Sequence, residues 1–130
     1  MDKERGIILS YNLTKPHLQS MDLISRKKGL YLKEVKKEDQ IKTIGEILNL
    51  IPGDNNSTKE FKPFEDELLI FCFLNDEEFN YILSNMKSEK INIPLKAMLT
   101  EHNISWNSLY LYEHLNEEIR SIQKQLANRK

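Results

Sequence analysis

One pattern occurs twice in this chain and constrains it more than anything else: an apolar strand, a helix, an alternating strand, a helix. The first pass begins at GIILSYN (6–12). The second begins at LLIFCFL (68–74), which is apolar at every position. IILSYNLTKPHL lies over LLIFCFLNDEEF, and LYLKEVKKEDQIKTIGEIL lies over IPLKAMLTEHNISWNSLYLYEHL with a few residues of slippage. Few residues are identical, but the residue types correspond. The pattern predicts two βαβα half-repeats, 6–51 and 67–128, within a single domain spanning 1–130, a length that suits one core. The stretch between them, PGDNNSTKEFKPFED (52–66), opens on Pro-Gly and continues with Asp, Asn and Ser, and reads as a linker.

Local signals place the elements. Thr14 is the expected cap of a helix over 14–29, Pro16 sits in its first turn and Gly29 stops it. LYLKEV (30–35) is a second strand, and EDQIKTIGEILNLI carries Ile41, Ile44, Ile47 and Leu48 at helical spacing. In NDEEFNYILSNMKSEK (75–90), Asn75 and Glu78 form a capping-box pair, while Phe79, Ile82, Leu83 and Met86 define an inward face. INIPLKAML (91–99) alternates as a fourth strand. It sets Ile91, Ile93, Leu95, Ala97 and Leu99 on one face. A last helix is expected from about Trp106 to near Asn128.

Strands one and three are continuously apolar, as central strands covered on both faces are. Strands two and four carry Lys33, Pro94 and Lys96, which are edge features. The expected fold class is therefore α/β: a four-stranded, mainly parallel sheet of order 2-1-3-4, with helices on both faces. The alternative is a ferredoxin-like α+β sandwich of order 4-1-3-2.

Composition narrows function. Hydrophobic residues make up 39% and charged residues 30%, so the chain builds a core and is not disordered. The 19 Lys and Arg nearly balance the 20 Asp and Glu. No net field draws in nucleic acid or an anionic membrane. The single cysteine, Cys72, rules out an intramolecular disulfide and a cysteine-built zinc site. The longest apolar run is too short to cross a bilayer, and Met1–Arg5 is charged, unlike a signal peptide. A cytoplasmic location is expected.

The densest group of functional residue types is PLKAMLTEHNISWNSL (94–109), where the fourth strand turns into the last helix. In a parallel sheet the carboxyl ends of the strands converge, and ligands bind there. That edge would collect Tyr11 and Asn12, Asn75 and Asp76, and Thr100, His102 and Asn103, with Lys96 and Trp106 beside them. The set offers hydrogen bonds to a small ligand but pairs no nucleophile with a base. No glycine spacing makes a phosphate loop. No histidine has a second at ligand spacing, so no metal or other cofactor is expected. Turn hardware explains the same residues: Asn75 caps one helix, Asn103 or Ser105 caps another, Trp106 packs inward, and Lys96 guards an edge. Lys96 weighs between the two: a buried lysine would promote the ligand or enzyme reading and an exposed one would demote it.

Two further surfaces stand out. Arg26, Lys27, Lys28, Lys33, Lys36 and Lys37 form a basic cluster with only Tyr31 for stacking, a weak nucleic-acid signal. The last helix would run about 34 Å, longer than the roughly 20 Å of a six-residue strand. Its apolar positions Tyr112, Leu115, Ile119, Ile122 and Leu126 recur at alternating three- and four-residue steps. The later ones, Ile119, Ile122 and Leu126, either fold back on Phe61 and Phe64 or meet a partner chain, most simply a second copy.

IPLKAMLTEHNISWNSLYLYEHLNEE resembles the C-terminal signature of a family of small bacterial proteins catalogued as domain of unknown function 3783. The matching positions are Pro94, Leu95, Lys96, Ala97, Leu99, Thr100, Asn103 and Trp106. LIFCFLNDEEFNYIL resembles the family's preceding strand and helix, and VKKEDQIKTIGEIL an N-terminal feature of its members. The resemblance implies a bacterial origin and brings no activity, substrate or catalytic residue. The leading expectation is a non-enzymatic interaction or regulatory module. A ligand binder or enzyme using Lys96, Thr100, His102 and Asn103 is the alternative.

Overall fold

The computed structural model describes residues 6–50 and 60–127. The chain divides into two compact units, Met1–Lys37 with Glu65–Thr100, and Glu38–Phe64 with Glu101–Lys130. Each unit draws on both halves of the sequence.

The first unit holds strands β1 (Ile7–Tyr11), β2 (Tyr31–Val35), β3 (Leu68–Cys72) and β4 (Leu95–Met98), with helices α1 (Lys15–Lys27) and α3 (Asp76–Ser88). The strands form one sheet of order β2-β1-β3-β4, the order expected from the sequence. β1 pairs with β2 and β3 with β4 in parallel, whereas the central β1–β3 pair is antiparallel. Continuous apolar runs place both strands centrally but carry no direction, so the sequence could not show this reversal.

The central pairing is self-complementary. Leu9 lies opposite Ile70, and Ile7 opposite Cys72 mirrors Tyr11 opposite Leu68. Around this seam the two halves of the unit repeat each other's local geometry. Asn12 (φ 59°) and Phe73 (φ 63°), each just after a central strand, are left-handed. Two residues later come the helix caps Thr14 and Asn75, then thirteen helical residues in each case. Each helix ends on a left-handed residue, Gly29 (φ 73°) and Lys90 (φ 58°). The next amide donates back into the last turn, Leu30 to Ser25 at 2.9 Å and Ile91 to Met86 at 2.8 Å.

α1 and α3 pack on the same face of the sheet. Met21 and Ile24 from one and Ile82 and Met86 from the other join Ile8, Leu69 and Phe71 in the core. The opposite face, with Leu9, Tyr11, Leu68, Ile70 and Cys72, is buried too. β4 is shorter than the alternation predicted, because it starts only after Pro94. Ile91 and Ile93 therefore join the α1–α3 core, while Leu95 pairs with Leu68 on the other face.

In the second unit, Lys37–Ile41 leads in as a 3-10 turn and α2 is a single turn, Ile44–Ile47. One continuous helix was expected here. Thr43 and Glu46 close a capping box that starts α2 afresh. α4 (Ser108–Ala127) is twenty residues long and starts after Trp106. Its cap is Asn107, whose side-chain oxygen accepts from the Tyr110 amide at 2.8 Å, so neither Asn103 nor Ser105 caps it. Thr43 and Asn107 face each other in an isolated antiparallel bridge, and the Ile44 amide donates to the Trp106 carbonyl at 2.9 Å. Gln40, fully buried, grips the backbone of Phe64: its amide donates to the carbonyl at 3.2 Å and its oxygen accepts from the amide at 2.9 Å. Phe64 in turn stacks on Tyr112 at 4.3 Å. Residues 60–66 carry no helix or strand, and the rest of the expected linker lies outside the described residues.

Candidate functional site

The antiparallel centre separates residues that a fully parallel sheet would gather. β1 delivers Tyr11 and Asn12 to one end of the sheet, where Tyr11 pairs with Leu68. β3 runs the other way, so Asn75 and Asp76 follow Cys72 at the end where Cys72 meets Ile7. Thr100, just after β4, sits at that second end, because β4 is parallel to β3. His102 and Asn103 belong to the second unit. There His102 is exposed and leads into a short 3-10 turn. Asn103 is buried, and its carbonyl accepts the Trp106 amide at 3.0 Å.

Several of these residues serve the backbone. Asn75 accepts from the Glu78 amide at 2.8 Å and donates its own amide to the Glu78 carboxylate at 3.0 Å. Lys96 is exposed on the edge strand, and its ammonium donates to the Ile93 carbonyl at 2.6 Å. It is not a buried lysine. Trp106 is half-buried, not packed fully inward; its ring meets Tyr110 edge-on at 4.7 Å and His114 at 5.2 Å.

Sequence reading missed two pairings because they span long separations. Glu67 accepts from the Thr14 amide at 2.9 Å and contacts His17 Nδ1 at 2.7 Å, so the start of α1 leans on a carboxylate from β3's approach. Three of the six residues of the basic cluster are matched by carboxylates: Arg26 with Asp22 at 3.1 Å, Lys28 with Glu77 at 3.7 Å, and Lys37 with Glu65 at 3.4 Å. Lys28 also stands 5.1 Å from the Tyr81 ring centre. Burial pushes the Cys72 thiol up to about 12, which leaves it a small core hydrophobe.

The two edges of the sheet each border a groove against the neighbouring helix. Between β2 and α1 a cavity of about 330 Å³ is lined by Leu18, Gln19, Asp22, Arg26, Leu32 and Glu34. Between β4 and α3 a cavity of about 250 Å³ is lined by Phe71, Phe79, Leu83, Lys96, Ala97 and Met98. The first is charged and the second apolar with one lysine.

On α4 the inward stripe outlasts its cover. Leu111 is buried, Leu115 and Ile119 are half-buried, and Ile122 and Leu126 are 55% and 59% exposed. Every residue from 121 to 127 is exposed.

The architecture is that of an α/β protein with a mixed four-stranded sheet. Residues 67–122 match the family model described as Domain of unknown function (DUF3783). The matched segment takes in β3, α3, β4 and most of α4. No curated protein and no solved structure matches. Among the described residues, no helix is long and apolar enough to cross a membrane, and no three metal-ligating side chains gather.

Proposed function

We propose that this chain is a non-enzymatic interaction module that pairs with a second copy of itself through the C-terminal half of α4. One observation carries the reading: the helix face that buries Leu111 continues, unchanged in spacing, into the exposed Ile122 and Leu126. Leu115, Ile119, Ile122 and Leu126 recur at steps of four, three and four, which keeps them on one face. An antiparallel pairing sets Ile119 of one copy against Ile122 of the other, and Leu115 against Leu126. Its flanks set Asn116 against Gln123 and Glu118 against Gln125, with no like charges opposed. The capping duties of Asn75 and the carbonyl-bound Lys96 support a role without catalysis. A lone buried cysteine suits a reducing cytoplasm.

The same reading treats halves 6–51 and 67–128 as two copies of one unit, supported by the matching caps, helix lengths and left-handed residues. Sedimentation equilibrium tests the self-association. The expected result is a dimer that becomes a monomer in Ile122→Glu with its helical circular dichroism intact. A wild-type chain that stays monomeric at several hundred micromolar overturns it.

A further inference from the structure

The groove between α3 and β4 has a built-in control, the groove between α1 and β2 at the opposite edge of the same sheet. The two occupy equivalent places on either side of the β1–β3 seam. At matching positions, Ser10 gives way to Phe71 and Leu18 to Phe79. Asp22 corresponds to Leu83 and Arg26 to Lys87. On the edge strands, Leu32 pairs with Ile8 as Lys96 pairs with Leu69, and Glu34 with Ser10 as Met98 with Phe71.

The first groove is closed chemically by its own groups. Arg26 is held by Asp22 at 3.1 Å, and Glu34 adds a second carboxylate beside them. Such a surface is content in water. The second groove has lost both carboxylates; Lys87 keeps the cation position of Arg26, and Lys96 adds a second where the first groove has Leu32. Its lining is aromatic and aliphatic, and Met98 is 45% exposed. Phe71 and Phe79 meet edge-to-face at 5.3 Å along its floor.

Charge is distributed unevenly along this groove. β4 runs parallel to β3, and a crossover helix returns against its strands. Lys96, early in β4, therefore lies toward the end of α3 that carries Lys87, while Met98 lies toward Phe79. Among the described residues neither lysine has an ion pair. One end of the groove is apolar, and the other holds these two cations. The acidic first turn of α3, Asp76 to Glu78, stands at the apolar end and fixes the polarity further.

We propose that the α3–β4 groove is a docking site for an acidic, apolar peptide segment of a partner protein. An aromatic or aliphatic side chain of the partner fills the space among Phe79, Leu83 and Met98. Carboxylates that follow it along the chain reach Lys96 and Lys87. Lys96 exchanges its contact with the neutral Ile93 carbonyl for one with a carboxylate, in which both partners are charged. This site does not involve α4, so it stands or falls apart from the self-association above.

The test is fluorescence anisotropy on the full chain with two fluorescein-labelled peptides. Both contain Leu-Phe; one continues with Asp-Asp-Glu and the other with Lys-Lys-Arg. The acidic peptide is expected to bind, and to bind more weakly as salt is raised. The double variant Leu83→Asp/Met98→Glu installs the residue types of the first groove and is expected to lose at least about tenfold in affinity. Lys96→Gln leaves the apolar lining intact and is expected to lose about threefold to tenfold for the acidic peptide. Melting curves confirm that both variants fold, and Lys96→Gln carries the test if the double variant does not. Equal binding of the two peptides, no binding of the acidic one, or an affinity unmoved in Lys96→Gln overturns the proposal. So does binding of decanoate in place of either peptide.

Discussion

The halves β1-α1-β2 and β3-α3-β4 share a backbone plan and differ in almost every side chain that faces water. Both helices are thirteen residues long, both are capped two residues after a left-handed position, and both are followed by one. Their buried faces agree as well: Met21 and Ile82 are both fully buried at corresponding places. The edge grooves diverge in charge: Asp22 and Glu34 in one correspond to Leu83 and Met98 in the other. Backbone geometry is thus held by caps and core, while groove chemistry is free to change. The second half also carries the family match.

The largest effect expected from this comparison lies in the core. Met21→Ala and Ile82→Ala each remove a fully buried side chain from one shared cluster, and each is expected to cost about 2–5 kcal/mol in urea unfolding. Values differing by more than about 2 kcal/mol would show that the halves are not packed alike. The helix starts come next, because they are capped by different means. α3 closes its own box with Glu78, three residues from Asn75, whereas α1 borrows Glu67 from far along the chain. Glu67→Ala leaves the Thr14 amide and His17 without a partner and is expected to cost about 1–3 kcal/mol. Glu78→Ala is expected to cost about 0.5–1 kcal/mol. The opposite ranking would show that the local box, and not the distant carboxylate, is the stronger device. The smallest effect is at the helix ends. Gly29 has open space around a would-be Cβ, so Gly29→Ala costs only its left-handed backbone, about 1 kcal/mol. Lys90→Gly relieves the same strain and is expected to raise stability by about 0.5–1 kcal/mol. A loss in Lys90→Gly would mean that its side chain contributes contacts beyond the turn.

Signals confined to a few neighbouring residues were readable before the structure. Thr14, Asn75 with Glu78, and Gly29 marked helix ends correctly because a cap acts within one turn. Lys33, Pro94 and Lys96 marked the outer strands, and with them the order 2-1-3-4. Strand direction was not readable, because an all-apolar strand looks the same from either end. That one reversal separates Tyr11 and Asn12 from Asn75 and Asp76. The true start of α4 was hidden as well. Trp106 looked like a first-turn anchor, but its carbonyl is taken by Ile44, a contact the local sequence cannot show. Glu67 with His17 and Gln40 with Phe64 escaped for the same reason, since each joins distant positions. The α3–β4 groove needed the register of β4 on β3. Until Met98 is set opposite Phe71, nothing marks those two residues as neighbours.

The antiparallel seam between β1 and β3 has a consequence for heredity. Where two identical subunits meet across such a seam, every mutation is made twice, and neither side can change alone. Here both sides lie in one reading frame, joined end to end, with Leu9 facing Ile70 at the centre. A substitution at Asp22 leaves Leu83 untouched. One groove can therefore acquire charge and retire from contact while the other is selected for a guest, and the frame that supports both is inherited only once.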